Sequence, residues 1–148
     1  MVQVRQYRRD KQREAALEML HSFQTPSFAR ALNIVYSMPD GLSKEEVERS
    51  AGDDFHLVYA MMTTWESLGI LVHRGEIDVH KVSDLFSGPI MVSWIKLENH
   101  DTGEREETRR DTVNEWFQWL KERLEDIEAK APPIPAHLEF KDWTPPTR

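Results

Sequence analysis

The spacing of apolar residues predicts helices along most of the chain. From residue 55 to residue 72, nearly all successive apolar positions are three or four residues apart. They are Phe55, Val58, Met61, Met62, Trp65, Leu68 and Val72. A stretch from about Thr108 to Ala129 has the same period, at Val113, Trp116, Phe117, Leu120, Leu124 and Ile127. This period places apolar side chains on one helical face, so both stretches predict amphipathic helices.

Composition and start signals predict three more helices in the first third of the chain. The segment from about residue 3 to residue 22 is rich in helix-forming residues. Thr25 followed by Pro26 predicts a helix start, because Thr caps helices and Pro fits the first helical position. Ser43 and Glu46 have the spacing of a capping box, which predicts a short third helix.

The middle of the chain is less decided by its pattern. "SGP" at 87–89 predicts a break, with Pro89 beginning a new helix. "PIMVSWIKL" is apolar nearly all round and fits either a buried central helix or a buried strand. "NHDTGE" at 99–104 predicts a polar turn.

The composition changes at residue 131, where the chain becomes rich in proline. "APPIPAHLEFKDWTPPTR" predicts an extended tail, which Leu138, Phe140 and Trp143 could fasten to the body. The fold prediction is therefore all-α. We expect a compact bundle of about six helices in one domain over residues 1–130, followed by a Pro-rich C-terminal tail over residues 131–148.

The stretch "ILVHRGEIDVHKV" at 70–82 has two interpretations. Its alternation suits a β-hairpin, as in a winged-helix protein, and it also suits a helix end, a Gly turn and a new helix. Val79, Val82, Leu85 and Phe86 continue a helical pattern. With Asp78 as N-cap and Gly75 just past the preceding helix, the pattern favours helix–turn–helix over the hairpin.

The same region carries a family resemblance. The motif reads "WESLGILVHRGEID", then a Trp in "IMVSWIKL", then "REETRRD" and "VNEWFQWLKERL". From Trp65 to Arg123 it resembles the bacterial family known as domain of unknown function 4760. The matching positions are Leu68, Gly69, Leu71, Val72, Gly75, Ile77, Asp78 and Trp94. The resemblance implies a small helical fold, a structural role for these residues and no assigned activity.

Many members of that family carry an N-terminal membrane helix. No apolar run in this sequence approaches the roughly 18–20 residues that span a bilayer, so we expect no transmembrane segment here. Cysteine is absent, which excludes disulfides and thiolate chemistry in this sequence and is consistent with a cytoplasmic location. The net charge of −7 disfavours a nucleic-acid partner, because phosphate binding needs a cationic surface.

A winged-helix DNA-binding regulator is the alternative function that the rhythm of residues 41–77 suggests. In such proteins the N-terminal end of the second helix contacts bases. Here that end carries Asp53 and Asp54, and no Lys or Arg lies between Arg49 and Arg74. Carboxylates repel phosphates, so these two residues are better interpreted as N-caps.

A metal-dependent enzyme is a third hypothesis, based on His73, Asp78, His80 and Asp84. A closed zinc site needs about four convergent ligands, and neither HExxH nor paired CxxC spacing occurs. If Asp78 begins a helix, His80 and Asp84 share one face, which gives only two ligands. We therefore expect no metal site, no cofactor and no catalytic residues.

The remaining aromatic residues lead to the main functional hypothesis. Trp119 lies off the apolar stripe of its helix, so it is either exposed or covered by Phe140 or Trp143 of the tail. Exposed Trp residues are common at protein interfaces. We therefore expect a non-catalytic protein-interaction module, with Trp119 and Trp143 on the surface that binds an unknown protein partner.

Overall fold

The computed structural model describes residues 1–23 and 25–147, and within them it contains helices and no strands. The helices are α1 (Val2–Phe23), α2 (Pro26–Ser37), α3 (Lys44–Ala51), α4 (Phe55–His73), α5 (Val79–Thr108), α6 (Glu115–Lys130) and the short α7 (Ala136–Glu139). A 3₁₀ turn, Gly52–Asp54, joins α3 to α4. The prediction of an all-α bundle with about six helices is confirmed.

The predicted helix starts in the first third of the chain are confirmed. Thr25 Oγ1 accepts a hydrogen bond from the Phe28 backbone N–H at 3.2 Å. Ser43 and Glu46 form the reciprocal capping box, with N···O distances of 3.2 and 2.8 Å. These bonds satisfy backbone donors that the first turn of a helix leaves free.

The prediction that Asp53 or Asp54 caps α4 with its side chain is wrong. Asp54 holds the N-cap position but makes no capping hydrogen bond. Its Oδ2 instead accepts from Arg30 Nη2 at 2.6 Å, which ties α2 to the start of α4. A long-range ion pair has replaced the local bond that the sequence pattern favoured.

The corner between α4 and α5 is a helix–turn–helix, so the hairpin interpretation of residues 70–82 is wrong. Gly75 has φ +72° and donates its N–H to Val72, while Glu76 donates to Leu71. This pair of bonds is a Schellman motif, which ends α4. Asp78 then caps α5 by accepting from the His80 N–H at 2.7 Å.

The predicted break at 87–89 and the predicted turn at 99–104 are both wrong. One helix, α5, runs for 30 residues through Pro89 and through the whole "NHDTGE" segment. Gly88 precedes the proline, and without a Cβ it avoids the clash that disfavours helix before proline. Buried residues continue along the same face as far as His100 and Asp101, so tertiary packing outweighs the local turn signals.

The last long helix begins later than predicted. The chain leaves α5 at Arg109 with φ +53° and enters α6 after Asn114 with φ +51°. The predicted start at Thr108 is therefore wrong by seven residues. Arg105 fixes this connection, because its guanidinium donates to the Val113 carbonyl at 2.9 Å and to Gln118 Oε1 at 2.7 Å.

The core lies where α4 packs between α2 and α6, with α5 alongside. Trp65 of α4 is fully buried, and Phe23 from the end of α1 stacks on it with ring centroids 5.0 Å apart. The N-terminal half of α1 is exposed. In the tail, Leu138, Phe140 and Trp143 are each more than half exposed, so the prediction that they fasten it to the body is wrong.

Candidate functional site

A surface cavity at the α4–α5 corner has a volume of about 720 Å³. We call it the corner groove. Its floor is apolar and comes from both sides of the corner and from α6, through Val72, Ile77, Val79 and Ile127. Gln12 of α1 closes one edge, and Ala131, where the tail begins, lies at another. The groove thus extends from the α4–α5 corner, which contains several of the positions that match the family, to the base of the tail.

Trp119 lies in this groove and is half-buried by an aromatic cluster. The His73 ring is 4.7 Å from the Trp116 ring and 5.6 Å from the Trp119 ring, and the two tryptophans are 5.7 Å apart edge to face. The Arg123 guanidinium lies over Trp119 at 5.7 Å. Neither Phe140 nor Trp143 is among the aromatic neighbours of Trp119, so the predicted cover by the tail is wrong.

The rim of the groove is charged. Arg123 Nη2 lies 3.3 Å from Asp126 Oδ2, while the Nε of Arg123 is buried and has no hydrogen-bond partner within the described residues. Lys130 is exposed at the end of α6. The sequence prediction missed Arg123, although its position four residues after Trp119 places the two side chains on one helical face.

Four of the family-motif residues line the groove, namely Val72, Gly75, Ile77 and Asp78. Leu68, Val72 and Ile77 are buried, Leu71 is partly buried, and Gly75 makes the left-handed turn. Trp94 lies away from the groove, buried in α5 with its ring 5.1 Å from that of Phe117.

Gly69 of α4 lies against the backbone of α6. A Cβ atom at this position would lie only 2.3 Å from the Trp116 carbonyl oxygen. Trp143, the other residue of the predicted partner surface, is 64% exposed and lies on the tail rather than in the groove.

A partly buried carboxylate from α4 supports the start of α6. Glu66 Oε2 accepts from the Phe117 N–H at 2.7 Å, which satisfies a free donor in the first turn of α6. Burial raises the pKa of Glu66, although bonds from Phe117 and Trp116 oppose this rise. The start of α6, and with it Trp119, therefore depends on a side chain from α4.

Of the four residues of the metal hypothesis, His73, Asp78 and His80 line the groove and Asp84 does not. The four do not form a group with metal-ligand spacing. Asp78 Oδ1 is engaged by backbone N–H groups of α5, and His73 packs on tryptophan rings. Within residues 1–23 and 25–147, the one group with metal-ligand spacing is Glu48, His100 and Glu104. The sequence prediction missed this group because it interpreted 99–104 as a turn. In the continuous helix α5, His100 and Glu104 are four residues apart and share a face.

The described helices include none that is long and apolar enough to cross a membrane. A winged-helix geometry is also missing from this part of the chain, since it contains no strands.

Comparison with curated proteins and with solved structures finds no significant match to either. Comparison with protein families matches residues 1–124, a longer span than the predicted resemblance over Trp65–Arg123. The match includes every family-motif residue and the first part of α6 as far as Arg123 and Leu124. Because it spans most of the sequence, the chain belongs to the family described as Domain of unknown function (DUF4760).

Proposed function

We propose that this protein is a non-catalytic interaction module that docks a segment of a partner protein in the corner groove. The observation that supports the proposal best is the groove itself, a cavity of about 720 Å³ with an apolar floor beside the partly buried Trp119. Trp and Arg side chains that pack next to an apolar depression are typical of the energetic centre of a protein interface.

The groove also suggests the chemistry of the partner. An aliphatic or aromatic side chain would be accommodated on the floor formed by Val72, Ile77 and Ile127. Beside it, the buried Nε of Arg123 lacks an acceptor, and Lys130 adds a second cation. We therefore propose a partner segment with an apolar anchor and an adjacent carboxylate. That carboxylate would compete with Asp126 for the Arg123 guanidinium.

The polar groups of the groove support a binding role rather than a catalytic one. Asp78 lines the groove at the corner, and its carboxylate is already engaged as a helix cap. His73 is held against Trp116 and Trp119 rather than against a carboxylate. A catalytic acid or base must be able to reach the proton it transfers, and both of these side chains are engaged by groups of the protein itself.

The tail is the second part of the proposed surface. It leaves the groove at Ala131, and its exposed apolar side chains are Ile134, Leu138, Phe140 and Trp143. These side chains would add contact area next to the groove once a partner is bound. We therefore propose that residues 131–148 act as a docking arm separate from the helical domain of residues 1–130.

A chemical-crosslinking pull-down from the native host, followed by calorimetry with the purified partner, tests the proposal. Trp119→Ala and Arg123→Glu should each weaken binding by at least tenfold, or about 1.4 kcal/mol. The matched control is Tyr59→Ala, which removes an aromatic side chain that is 60% exposed on α4 outside the groove. It should leave the affinity unchanged.

Removal of residues 131–148 distinguishes the contribution of the tail to binding from that of the groove. A loss smaller than that caused by Trp119→Ala would place the main contact in the groove. If neither groove variant nor the truncation changes the affinity of any recovered partner, the proposed surface is wrong. Circular dichroism of each variant guards against loss of binding through unfolding.

A further inference from the structure

A second cluster of polar side chains lies between α3 and α5, away from the corner groove. Glu48 of α3 faces His100 and Glu104 of α5, and their ligand atoms all lie within 4.8 Å of one another. His100 and Glu104 are four residues apart, so they project from one face of α5. Gly103 allows the two helices to approach, since a Cβ atom there would be 3.0 Å from Lys44 Cβ.

The imidazole of His100 is buried without a hydrogen-bond partner. It is 2% exposed, and neither of its ring nitrogens makes a hydrogen bond within the described residues. Its Nε2 points toward Glu48, 3.5 Å from Oε1, and its Nδ1 lies 3.6 Å from Asp101 Oδ1. Buried polar groups are nearly always paired, so a buried imidazole that makes no hydrogen bond and faces a carboxylate is a candidate metal ligand.

We propose that Glu48, His100 and Glu104 bind a divalent transition-metal ion such as Zn²⁺. Imidazole with two carboxylates suits zinc and its neighbours better than magnesium or calcium, which prefer oxygen ligands alone. Two ligand atoms about 2.0 Å from one tetrahedral ion lie about 3.3 Å apart. The His100–Glu48 distance of 3.5 Å is already close to that value.

Asp101 strengthens this assignment from the other side of the imidazole. It is fully buried, and its Oδ1 accepts from Asn114 Nδ2 at 2.9 Å while facing His100 Nδ1. A carboxylate behind the far ring nitrogen is the usual partner of a metal-bound histidine, because it orients the ring and makes it more basic. The proton on Nδ1 would then point to Asp101, which leaves Nε2 free to bind the ion.

Lys44 is the cation that an incoming ion would replace. Its Nζ lies 2.9 Å from Glu104 Oε1 and 3.8 Å from Glu48 Oε1, and it also pairs with Glu107. Hydrogen bonds to Glu107 and Glu104 raise the pKa of Lys44 well above its usual range, so the ammonium stays charged. On metal binding, Lys44 would release Glu48 and Glu104 and keep Glu107.

Titration calorimetry with Zn²⁺, and absorption spectroscopy with Co²⁺, test the site on the full chain. We expect one ion per chain for the wild type, and at least tenfold weaker binding for His100→Asn and Glu104→Gln. Glu107→Gln is the matched control, since it makes the same change three residues further along α5. It should lower the affinity much less than Glu104→Gln does, since Glu107 is not a proposed ligand, and Lys44→Met should increase the affinity several-fold by removing the competing cation.

The proposal fails if the wild-type chain binds no Zn²⁺, or if Glu104→Gln and Glu107→Gln weaken binding equally. Equal affinity of wild type and His100→Asn would also overturn it, because the ion would then be bound elsewhere. Should His100→Asn unfold, Glu104→Gln still decides, since the Glu104 side chain is 29% exposed and its substitution is isosteric.

Discussion

Substitution of Gly69 by alanine tests whether the family-motif glycine sets the distance between α4 and α6. The added Cβ would lie 2.3 Å from the Trp116 carbonyl oxygen and 2.8 Å from the carbonyl carbon. Ordinary carbon–oxygen contacts are about 3.3 Å or longer, so the helices must separate by about 1 Å. Because the obstacle is backbone rather than a flexible side chain, rotamer changes cannot relieve it.

Overpacking of this kind costs about 1–3 kcal/mol, while alanine gains up to about 1 kcal/mol over glycine within a helix. We expect Gly69→Ala to lower the free energy of unfolding by about 1–2 kcal/mol, and Tm by about 2–8 °C. Urea unfolding followed by tryptophan fluorescence and circular dichroism measures the change. Thr63→Ala, at an exposed position on the same helix, is the control and should stay within about 0.5 kcal/mol of wild type. A Gly69→Ala protein as stable as wild type would refute the close-contact reasoning.

Three further predictions concern charge, capping and burial. Burial raises the pKa of Glu66 above its ordinary value of 4.5, so stability should fall as pH rises from about 4.5 through the folded-state pKa. Glu66→Gln removes this titration. The urea midpoint of the variant, relative to that of the wild type, should therefore rise as pH increases over this range. A difference between the two midpoints that does not change with pH would contradict the assignment. Asp78→Ala should cost about 1 kcal/mol through loss of the α5 cap, against no more than about 0.5 for the exposed Asp84→Ala, by urea titration. Trp94→Ala should lower the free energy of unfolding by about 3–5 kcal/mol, and Trp143→Ala by no more than about 0.5 kcal/mol. If thermal unfolding shows that both variants lose similar stability, Trp143 would belong to the core.

Features determined by neighbouring residues could be predicted from the sequence. The caps at Thr25, Ser43 and Asp78 depend on hydrogen bonds that reach only two or three residues. The turn at Gly75 depends on a backbone conformation that glycine adopts readily. These local rules were sufficient to give the helical class and the corner between α4 and α5.

Features determined by distant contacts could not be predicted in the same way. The helix through Pro89 continues because α5 packs against α2 and α6. The Asp54 side chain pairs with an arginine on α2 instead of capping α4. The start of α6 is set by Glu66, 51 residues away in sequence from Phe117. The prediction that apolar side chains of the tail pack against the body was wrong for a related reason, because an apolar side chain does not indicate which surface, if any, it covers.

The length of α5 has a consequence for how the molecule opens. At about 1.5 Å per residue, its 30 residues extend about 45 Å, and it contacts α2, α3 and α6 along the way. No large part of α5 can unwind while those helices remain packed, so most of its amide hydrogens should exchange with solvent only when the whole domain unfolds. Pro89 has no backbone N–H, so the Leu85 carbonyl lacks its usual hydrogen bond within the helix. Amide hydrogens near Leu85 should therefore exchange faster. The exposed half of α1 should exchange fastest, by fraying, so the slowest amides of α5 would report the global free energy of unfolding.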